Sequence, residues 1–229
     1  MFFTVKKRVI FISIICALII VGFIVALSAP TATTLGRGKT VVIDAGHGGE
    51  DGGVVGRTTG IKESDINLAI SKKVKEFLEA GGYKVVMTRS NDSGLYGAVS
   101  SNKKLADMKK RKEIILDAKP DLVVSIHQNF YPSSYVSGAQ VFYAPNGSGG
   151  DEAIVMQKIL NRELACNRNS AKGDYYIVQC APYPSILIEC GFLSNPEEEA
   201  KLVTAQYQEK VAYTIYTGIN FILGSPVIS

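Results

Sequence analysis

From residue 40 onward, the chain alternates short apolar runs rich in β-branched residues with longer segments in which apolar residues recur every three or four positions. The short runs predict buried strands, and the longer segments predict amphipathic helices. Strands that alternate with helices build a largely parallel sheet with helices packed on its faces. We therefore expect an α/β fold, a three-layer sandwich with a central, mostly parallel sheet flanked by helices.

The same patterns, together with the turn residues between them, give the predicted boundaries. Strands are predicted at residues 40–44, 83–88, 121–126, 137–143, 175–178 and 185–189. Helices are predicted at residues 63–80, 101–118, 151–165 and 197–223. The helix at residues 101–118 is strongly basic, and we expect its charges, Arg111 included, to form a solvated face.

The first 30 residues differ in character from the rest. Lys6, Lys7 and Arg8 precede residues 9–27, a stretch of 19 residues without a charge. This stretch is long enough to cross a bilayer as a helix, and it exceeds the apolar core of a cleaved signal peptide, about 7–15 residues. The basic flank is expected to stay cytoplasmic, so that the following chain faces outward. Small residues near Ser28 leave a cleaved signal as the alternative.

Three regions follow from this reading: an N-terminal membrane anchor or signal at residues 1–30, a polar, turn-rich linker at residues 31–39, and one folded domain at residues 40–224. The formal net charge is +4, of which three positive charges precede the apolar stretch. The remainder is close to neutral, which argues against a nucleic-acid partner.

Four cysteines are present, and one of them, Cys16, lies in the apolar stretch. The other three, Cys166, Cys180 and Cys190, cannot all pair within one chain. None of them stands in a CxxC pattern, so a cysteine-rich metal site is not indicated. We expect all three to behave as small buried hydrophobic residues.

The chain has only two histidines, and both follow predicted core strands. His47 comes after the strand at residues 40–44, and His127 comes after the strand at residues 121–126. Functional groups gather where the carboxyl ends of parallel strands meet. Imidazole is a good zinc ligand, and catalytic zinc typically takes three protein ligands and keeps a fourth position open. Two histidines therefore require a third donor, for which a carboxylate is suitable.

Two glutamates are candidates for that donor. Glu63 begins a predicted helix, where a carboxylate also favours the helix dipole. Glu189 ends a predicted buried strand, where a charge is costly unless it is paired or metal-bound. The glutamate that is not a ligand would take the proton from the attacking water and pass it to the leaving amine. The sequence pattern leaves open which glutamate has which role.

Four segments resemble, in order, the four motifs of the zinc-dependent N-acetylmuramoyl-L-alanine amidases of the amidase 3 type. They are VIDAGHGGEDGG at residues 42–53, ESDINL at residues 63–68, DLVVSIHQN at residues 121–129 and IECGFLSNP at residues 188–196. Each motif alone is weakly specific, whereas the four together, in family order, are highly specific. The resemblance implies an α/β sandwich that hydrolyses the amide bond between N-acetylmuramic acid and L-alanine in peptidoglycan.

Carried over residue by residue, the resemblance implies that His47, Glu63 and His127 bind zinc (Zn2+) and that Glu189 is the general base and acid. The chain departs from the family pattern at Cys190, where a small apolar residue is usual, and at residues 179–184 (QCAPYP). Both departures flank the predicted catalytic strand, so they bear on substrate preference and activity.

Three further residues have open roles. Asp44 is a candidate for orienting His47 without binding the metal itself, or is a buried acid with satisfied hydrogen bonds. Asn129 and Arg57 are candidates for substrate contact, with a structural role as the alternative for each.

The compact layout, with one N-terminal anchor and no wall-binding repeats, is similar to the short germination-specific amidases of spore-forming bacteria. Those enzymes strip peptides from muramic acid in the spore cortex so that muramic-δ-lactam forms. The resemblance implies a peptidoglycan substrate, membrane attachment through the N-terminal helix, and a location outside the cytoplasm, in the space between the spore membranes. The alternatives are a zinc peptidase that cuts within wall peptides, an inactive peptidoglycan-binding protein, and an enzyme that needs an activating protein of unknown identity.

Overall fold

The computed structural model describes residue 36, residues 38–97 and residues 102–224. The predicted anchor and most of the predicted linker lie outside these residues. In the part of the chain that is described, no helix is both long enough and apolar enough to cross a membrane.

One sheet of six strands forms the centre of the described domain. The strands are β1 (Thr40–Ala45), β2 (Lys84–Met87), β3 (Leu122–Asn129), β4 (Gln140–Tyr143), β5 (Ala171–Lys172) and β6 (Ser185–Phe192). Their order across the sheet is β2-β1-β3-β6-β4-β5. The first four strands in this order run parallel, β4 is antiparallel to β6, and β5 is parallel to β4. The predicted central, mostly parallel sheet is confirmed.

Helices cover both faces of the sheet. They are α1 (Glu63–Ala80), α2 (Lys103–Ala118), α3 (Gly150–Glu163), α4 (Pro196–Leu202) and α5 (Ala205–Gly224). Apolar residues of α1, α3 and α5 share one core cluster with the sheet, while α2 contributes to a second cluster on the other face. These three layers match the predicted sandwich.

The strand β1 shows how the sequence divides the core. Val41 and Ile43 pack into the cluster that contains Ile70 of α1, whereas Val42 packs with Ile115 of α2. All of these side chains are fully buried. Because successive side chains of a strand point to opposite faces, a strand covered on both sides reads as an unbroken apolar run.

Two predicted elements are wrong in type or extent. The strand predicted at residues 175–178 is wrong, since Tyr176–Val178 form a 3-10 helix. A short apolar run does not distinguish a strand from a helical turn. The long C-terminal helix is two helices, α4 and α5, and the hydroxyl of Thr204 between them accepts a hydrogen bond from the Tyr207 N–H. This contact satisfies one free donor at the start of α5. The short strand β5 was not predicted.

The expectation that Arg111 lies on a solvated face is also wrong. Arg111 is fully buried, and its guanidinium donates hydrogen bonds to Asp107 and Asp44, each at 2.6 Å. A buried arginine needs hydrogen-bond acceptors for its guanidinium, since its charge cannot be removed by deprotonation. The neighbouring Lys109 and Lys110 are exposed, as predicted.

Candidate metal centre and active site

A sharp turn after β1 brings His47 into the site. His47 has φ of 60°, in the left-handed region, and Gly48 and Gly49 continue the turn with φ of 134° and 64°. A side chain at Gly46 is excluded, because a Cβ there would lie 2.3 Å from the imidazole of His127. The turn places the two imidazole rings 5.0 Å apart, nearly perpendicular to each other.

The carboxylate of Glu63 is fixed by its surroundings. Glu63 is the first residue of α1 and is 2% exposed. The N–H of Val54 donates to Oε2 at 3.0 Å, and the N–H of Gln128 donates to Oε1 at 3.1 Å. The Asn67 amide also donates to Oε1, at 3.2 Å. These bonds hold both oxygens in one orientation.

The three residues predicted to bind zinc come together in this structure. His127 Nδ1 lies 2.9 Å from Glu63 Oε1, and His47 Nε2 lies 3.3 Å from Glu63 Oε2. One potential ligand atom from each residue can be chosen so that all three lie within 4.8 Å of one another. Two imidazoles and one carboxylate are a donor set that suits a divalent transition metal.

The charges around His47 favour a positive charge at this point. Burial disfavours the protonated imidazole, but the hydrogen bond and charge of Glu63, with the charge of Asp51, raise the pKa of His47 to about 9. Burial likewise raises the pKa of Glu63, yet hydrogen bonds and charges from His127 and His47 hold it well below its usual range. A site that stabilises an imidazolium in this way also suits a metal cation.

The second nitrogen of the His47 ring faces Asp51. The Nδ1 atom lies 2.9 Å from Asp51 Oδ2, which makes an ion pair when the imidazole is protonated. The hydrogen bond and charge of Asp51 add to those of Glu63 in raising the pKa of His47. Because Nε2 faces Glu63, Asp51 contacts the opposite side of the ring, where a carboxylate can fix the orientation of an imidazole ligand.

Glu189 faces the same centre from β6. The strand continues to Phe192, so the expectation that Glu189 ends its strand is wrong. The residue is 7% exposed, and its Oε2 atom has no hydrogen-bond partner. Burial, together with the charge of Glu63, raises the pKa of Glu189 to about 7 against the opposing charges of His127 and His47. A carboxyl group that titrates near neutrality can both accept and return a proton.

A cavity of about 530 Å³ connects these side chains to solvent. All four predicted site residues line it, together with Asn129, Phe130 and Lys104. Tyr175 and Tyr176 also line it. Arg57, the other candidate for substrate contact, is not among the lining residues. Its guanidinium donates to the carbonyl of Pro132 and lies over the Phe130 ring.

Among the described hydrogen bonds, Asp44 is connected to His47 only through Arg111. Its carboxylate accepts hydrogen bonds from Thr88, Ser125 and Arg111. Burial raises its pKa, but the Arg111 charge and the two hydroxyl hydrogen bonds lower the pKa of Asp44 to about 2. Arg111 in turn donates to the carbonyl of His47 at 2.7 Å. An orienting effect of Asp44 on His47 would therefore pass through Arg111 and the His47 backbone.

The sequence positions that depart from the family pattern do not line the cavity. Cys190 is 1% exposed, and burial raises the pKa of its thiol far above the usual value. Cys190 is therefore the small buried hydrophobic residue that was expected. The expectation of burial is wrong for Cys166 and Cys180, which are half-buried. Within the described residues these three cysteines are free, and none of residues 179–184 lines the cavity.

A pair of imidazoles and a carboxylate, beside a second carboxyl group at the carboxyl edge of a parallel sheet, has the composition of a metal-dependent hydrolase centre. The family of N-acetylmuramoyl-L-alanine amidases matches residues 41–220. The chain belongs to this family of peptidoglycan hydrolases, and the family indicated by the four motifs is confirmed.

Individual relatives agree with this assignment. The chain is 38% identical over 188 residues to the germination-specific N-acetylmuramoyl-L-alanine amidase of Bacillus subtilis, covering 80% of this chain and 78% of that protein. The structure of the CwlD amidase from Clostridioides difficile in complex with the GerS lipoprotein has a TM-score of 0.77 at 39% identity, covering 81% and 98% of the two chains. The catalytic domain of CwlV from Bacillus (Paenibacillus) polymyxa has a TM-score of 0.72 at 34% identity, with the same coverage.

Proposed function

We propose that the chain is a zinc-dependent amidase that releases stem peptides from the muramic acid of spore cortex peptidoglycan, the step that precedes muramic-δ-lactam formation. The observation that carries this proposal is the convergence of His47, Glu63 and His127 beside the unpartnered oxygen of Glu189. Membership of the amidase family supports the bond that is cut, and similarity to a germination-specific relative supports the cortex as the site of action.

The donor set supports zinc as the metal. His47, Glu63 and His127 would hold the ion, and a bound zinc ion would supply Lewis acidity toward an amide carbonyl and toward water. The hydrogen bonds that Glu63 accepts from Val54 and Gln128 keep its carboxylate directed at both imidazoles. This fixed orientation supports the assignment of Glu63 as the ligand and leaves Glu189 for proton transfer.

Glu189 would act as the general base and then as the general acid. Its free Oε2 would take a proton from the water that attacks the lactyl carbonyl carbon. When the carbon–nitrogen bond breaks, the same oxygen would return the proton to the amine of the departing alanine. A pKa of about 7 for Glu189 supports both transfers near neutral pH.

The cavity supports a substrate that is part sugar and part charged peptide. Tyr175, Tyr176 and Phe130 offer aromatic surface, which suits the faces of sugar rings and apolar parts of the peptide. Lys104 lines the cavity, is exposed and forms no salt bridge among the described residues, although its charge contributes to the lowered pKa of Asp51. Its ammonium group would attract the carboxylates of a stem peptide.

The amidase domain at residues 40–224 would lie outside the cytoplasm. Residues 1–30 would anchor the chain in a membrane, and residues 31–39 would link this anchor to the domain. The 19 uncharged residues behind a basic flank support this arrangement. An activating protein partner is also part of the proposal, because the similar CwlD structure contains the GerS lipoprotein.

Incubation of the full-length protein with intact peptidoglycan, with and without added zinc, tests the function through the new chemical ends. Zinc-dependent release of peptides that begin with a free L-alanine amine is expected. New ends inside the peptide would instead establish the peptidase alternative. A protein that binds zinc, yet releases nothing, would point to the partner-dependent or inactive form, and the Glu189→Gln variant serves as the matched inactive control.

A further inference from the structure

Arg89, the second residue after β2, is buried without a carboxylate beside it in the described part of the chain. The residue is 3% exposed, yet within the described residues no carboxylate forms an ion pair with its guanidinium. All of its hydrogen bonds go to backbone carbonyl oxygens. Nε donates to Ala45 at 2.9 Å, and Nη1 donates to Asn91 at 2.9 Å.

The remaining nitrogen of Arg89 joins the two segments that carry candidate metal ligands. Nη2 donates to the carbonyl of Gly46 at 3.0 Å and to the carbonyl of Ser64 at 2.8 Å. Gly46 directly precedes His47, and Ser64 directly follows Glu63. One guanidinium nitrogen therefore ties the turn after β1 to the first turn of α1, beside both ligands.

The turn that Arg89 holds needs external support. His47 has φ of 60°, a conformation that L-residues rarely adopt and that persists only where the surroundings impose it. A Cβ at Gly48 would lie 2.9 Å from Arg89 Nε, so the backbone runs directly against the guanidinium. Arg111 adds hydrogen bonds to the carbonyls of Ala45 and His47.

Burial of a cation without a carboxylate partner is unfavourable for stability, and an apolar side chain of similar volume usually packs as well or better. Burial and the nearby Arg111 charge lower the pKa of Arg89, and the charges of Asp44, Asp107 and Asp65 offset this only in part. The planar guanidinium does what an apolar residue cannot: it binds several carbonyl oxygens at fixed angles. Its position beside both ligand segments thus indicates a role in the geometry of the site.

We propose that Arg89 is a positioning residue, which sets the metal affinity of the centre by fixing His47 relative to Glu63 through the carbonyls of Gly46 and Ser64. The inference rests on the proposed metal site and adds a residue to it. Arg89 does not line the cavity, so its effect is transmitted through the backbone of the two ligand segments.

Zinc binding by the full chain, prepared free of metal, tests this role in the Arg89→Lys and Arg89→Gln variants. The zinc Kd is measured by competition with a chromophoric chelator, the visible absorption of bound Co2+ reports the ligand geometry, and thermal unfolding without metal reports folding. Arg168→Lys is the control, since Arg168 also donates to a backbone carbonyl, that of Ser137, and does not line the cavity.

Both Arg89 variants are expected to fold without metal, to bind zinc at least tenfold more weakly and to shift the Co2+ absorption. Arg168→Lys is expected to change neither the zinc affinity nor the Co2+ absorption. Zinc affinity within twofold of the unaltered protein, with an unchanged Co2+ spectrum, would overturn the inference. Failure of both variants to fold would also overturn it, because Arg89 would then be needed for folding itself. If the unaltered protein binds no zinc, the proposed function fails, and that result is distinct from the other two.

Discussion

His127 and Glu189 are register partners in β3 and β6, the two neighbouring parallel strands at the centre of the sheet. Both side chains line the same cavity, which follows because directly paired residues of a sheet point to the same face. The proposed base is therefore held beside a proposed ligand by two core strands and not by loops. A site built on rigid elements keeps its reacting groups at a constant separation.

Replacement of Glu189 by glutamine separates proton transfer from metal binding. Glutamine has nearly the same shape but cannot accept a proton from water, so kcat should fall by about 10²- to 10⁴-fold. Zinc content should stay unchanged, because Glu189 lies outside the proposed ligand set. Peptide release and metal analysis on the same preparation check both expectations. Loss of zinc from this variant would require the roles of the two glutamates to be exchanged.

Replacement of Glu63 by glutamine should give the opposite pattern. The amide keeps the volume but removes the negative charge that lies against His47 and His127. Zinc affinity should fall by at least about 100-fold, since removal of residues that only support ligands already costs 10- to 100-fold. Equilibrium dialysis against a metal buffer measures the change. If this variant retains zinc as well as Glu189→Gln does, Glu63 is not a ligand.

The sequence was sufficient to locate the candidate site because its signals are local. His47 and His127 lie within two residues of the carboxyl end of β1 and β3, and Glu63 begins α1. The α/β class followed in the same way from buried strands that alternate with helices. Zinc was indicated by the two histidines and a carboxylate donor, whereas the division of roles between Glu63 and Glu189 came from the motifs alone.

The burial of Arg89 and Arg111 beside the site was not predictable from the local sequence pattern. The partners of Arg89 and Arg111 in β1 lie 44 and 67 positions away along the chain. A basic residue on a basic helix is normally solvated, so the burial of Arg111 depends on tertiary contacts that periodicity does not contain. The 3-10 helix at Tyr176–Val178 was missed for a related reason, since a three-residue apolar run carries no usable period.

Acid should weaken the fold through Asp44. Its ordinary pKa of 3.8 is lowered to about 2 in the folded protein. A carboxyl whose pKa is lower when folded stabilises the protein above its unfolded pKa, and this stabilisation is lost as the pH falls through the folded value. The loss between about pH 4 and pH 2 should be about 2 kcal/mol.

Urea unfolding of the parent and of Asp44→Asn at several pH values isolates this contribution. Other acids with lowered pKa values, among them Asp121 and Glu199, remain in both proteins, so the difference between the two curves belongs to Asp44. The variant should be less stable at neutral pH, and the difference should narrow towards pH 2. If the difference in free energy of unfolding stays constant over this range, folding does not lower the pKa of Asp44.

Two glycines with the same backbone conformation allow a matched test of the site's packing. Gly53 has φ of 68° and Gly60 has φ of 72°, so alanine is similarly strained at both positions. A Cβ at Gly53 would lie 2.4 Å from Glu63 Oε2, whereas a Cβ at Gly60 would meet nothing within 4 Å. Each substitution should lower the free energy of unfolding by about 1 kcal/mol or more.

Only Gly53→Ala should also disturb the metal centre, because its methyl group must displace the carboxylate that lies against both imidazoles. We expect its zinc affinity to fall at least about tenfold, as for other changes that misplace a ligand. Chelator competition on both variants, with urea unfolding of the metal-free proteins, separates the backbone strain from the displacement of Glu63. Equal zinc affinities for Gly53→Ala and Gly60→Ala would mean that the position of this carboxylate does not control metal binding.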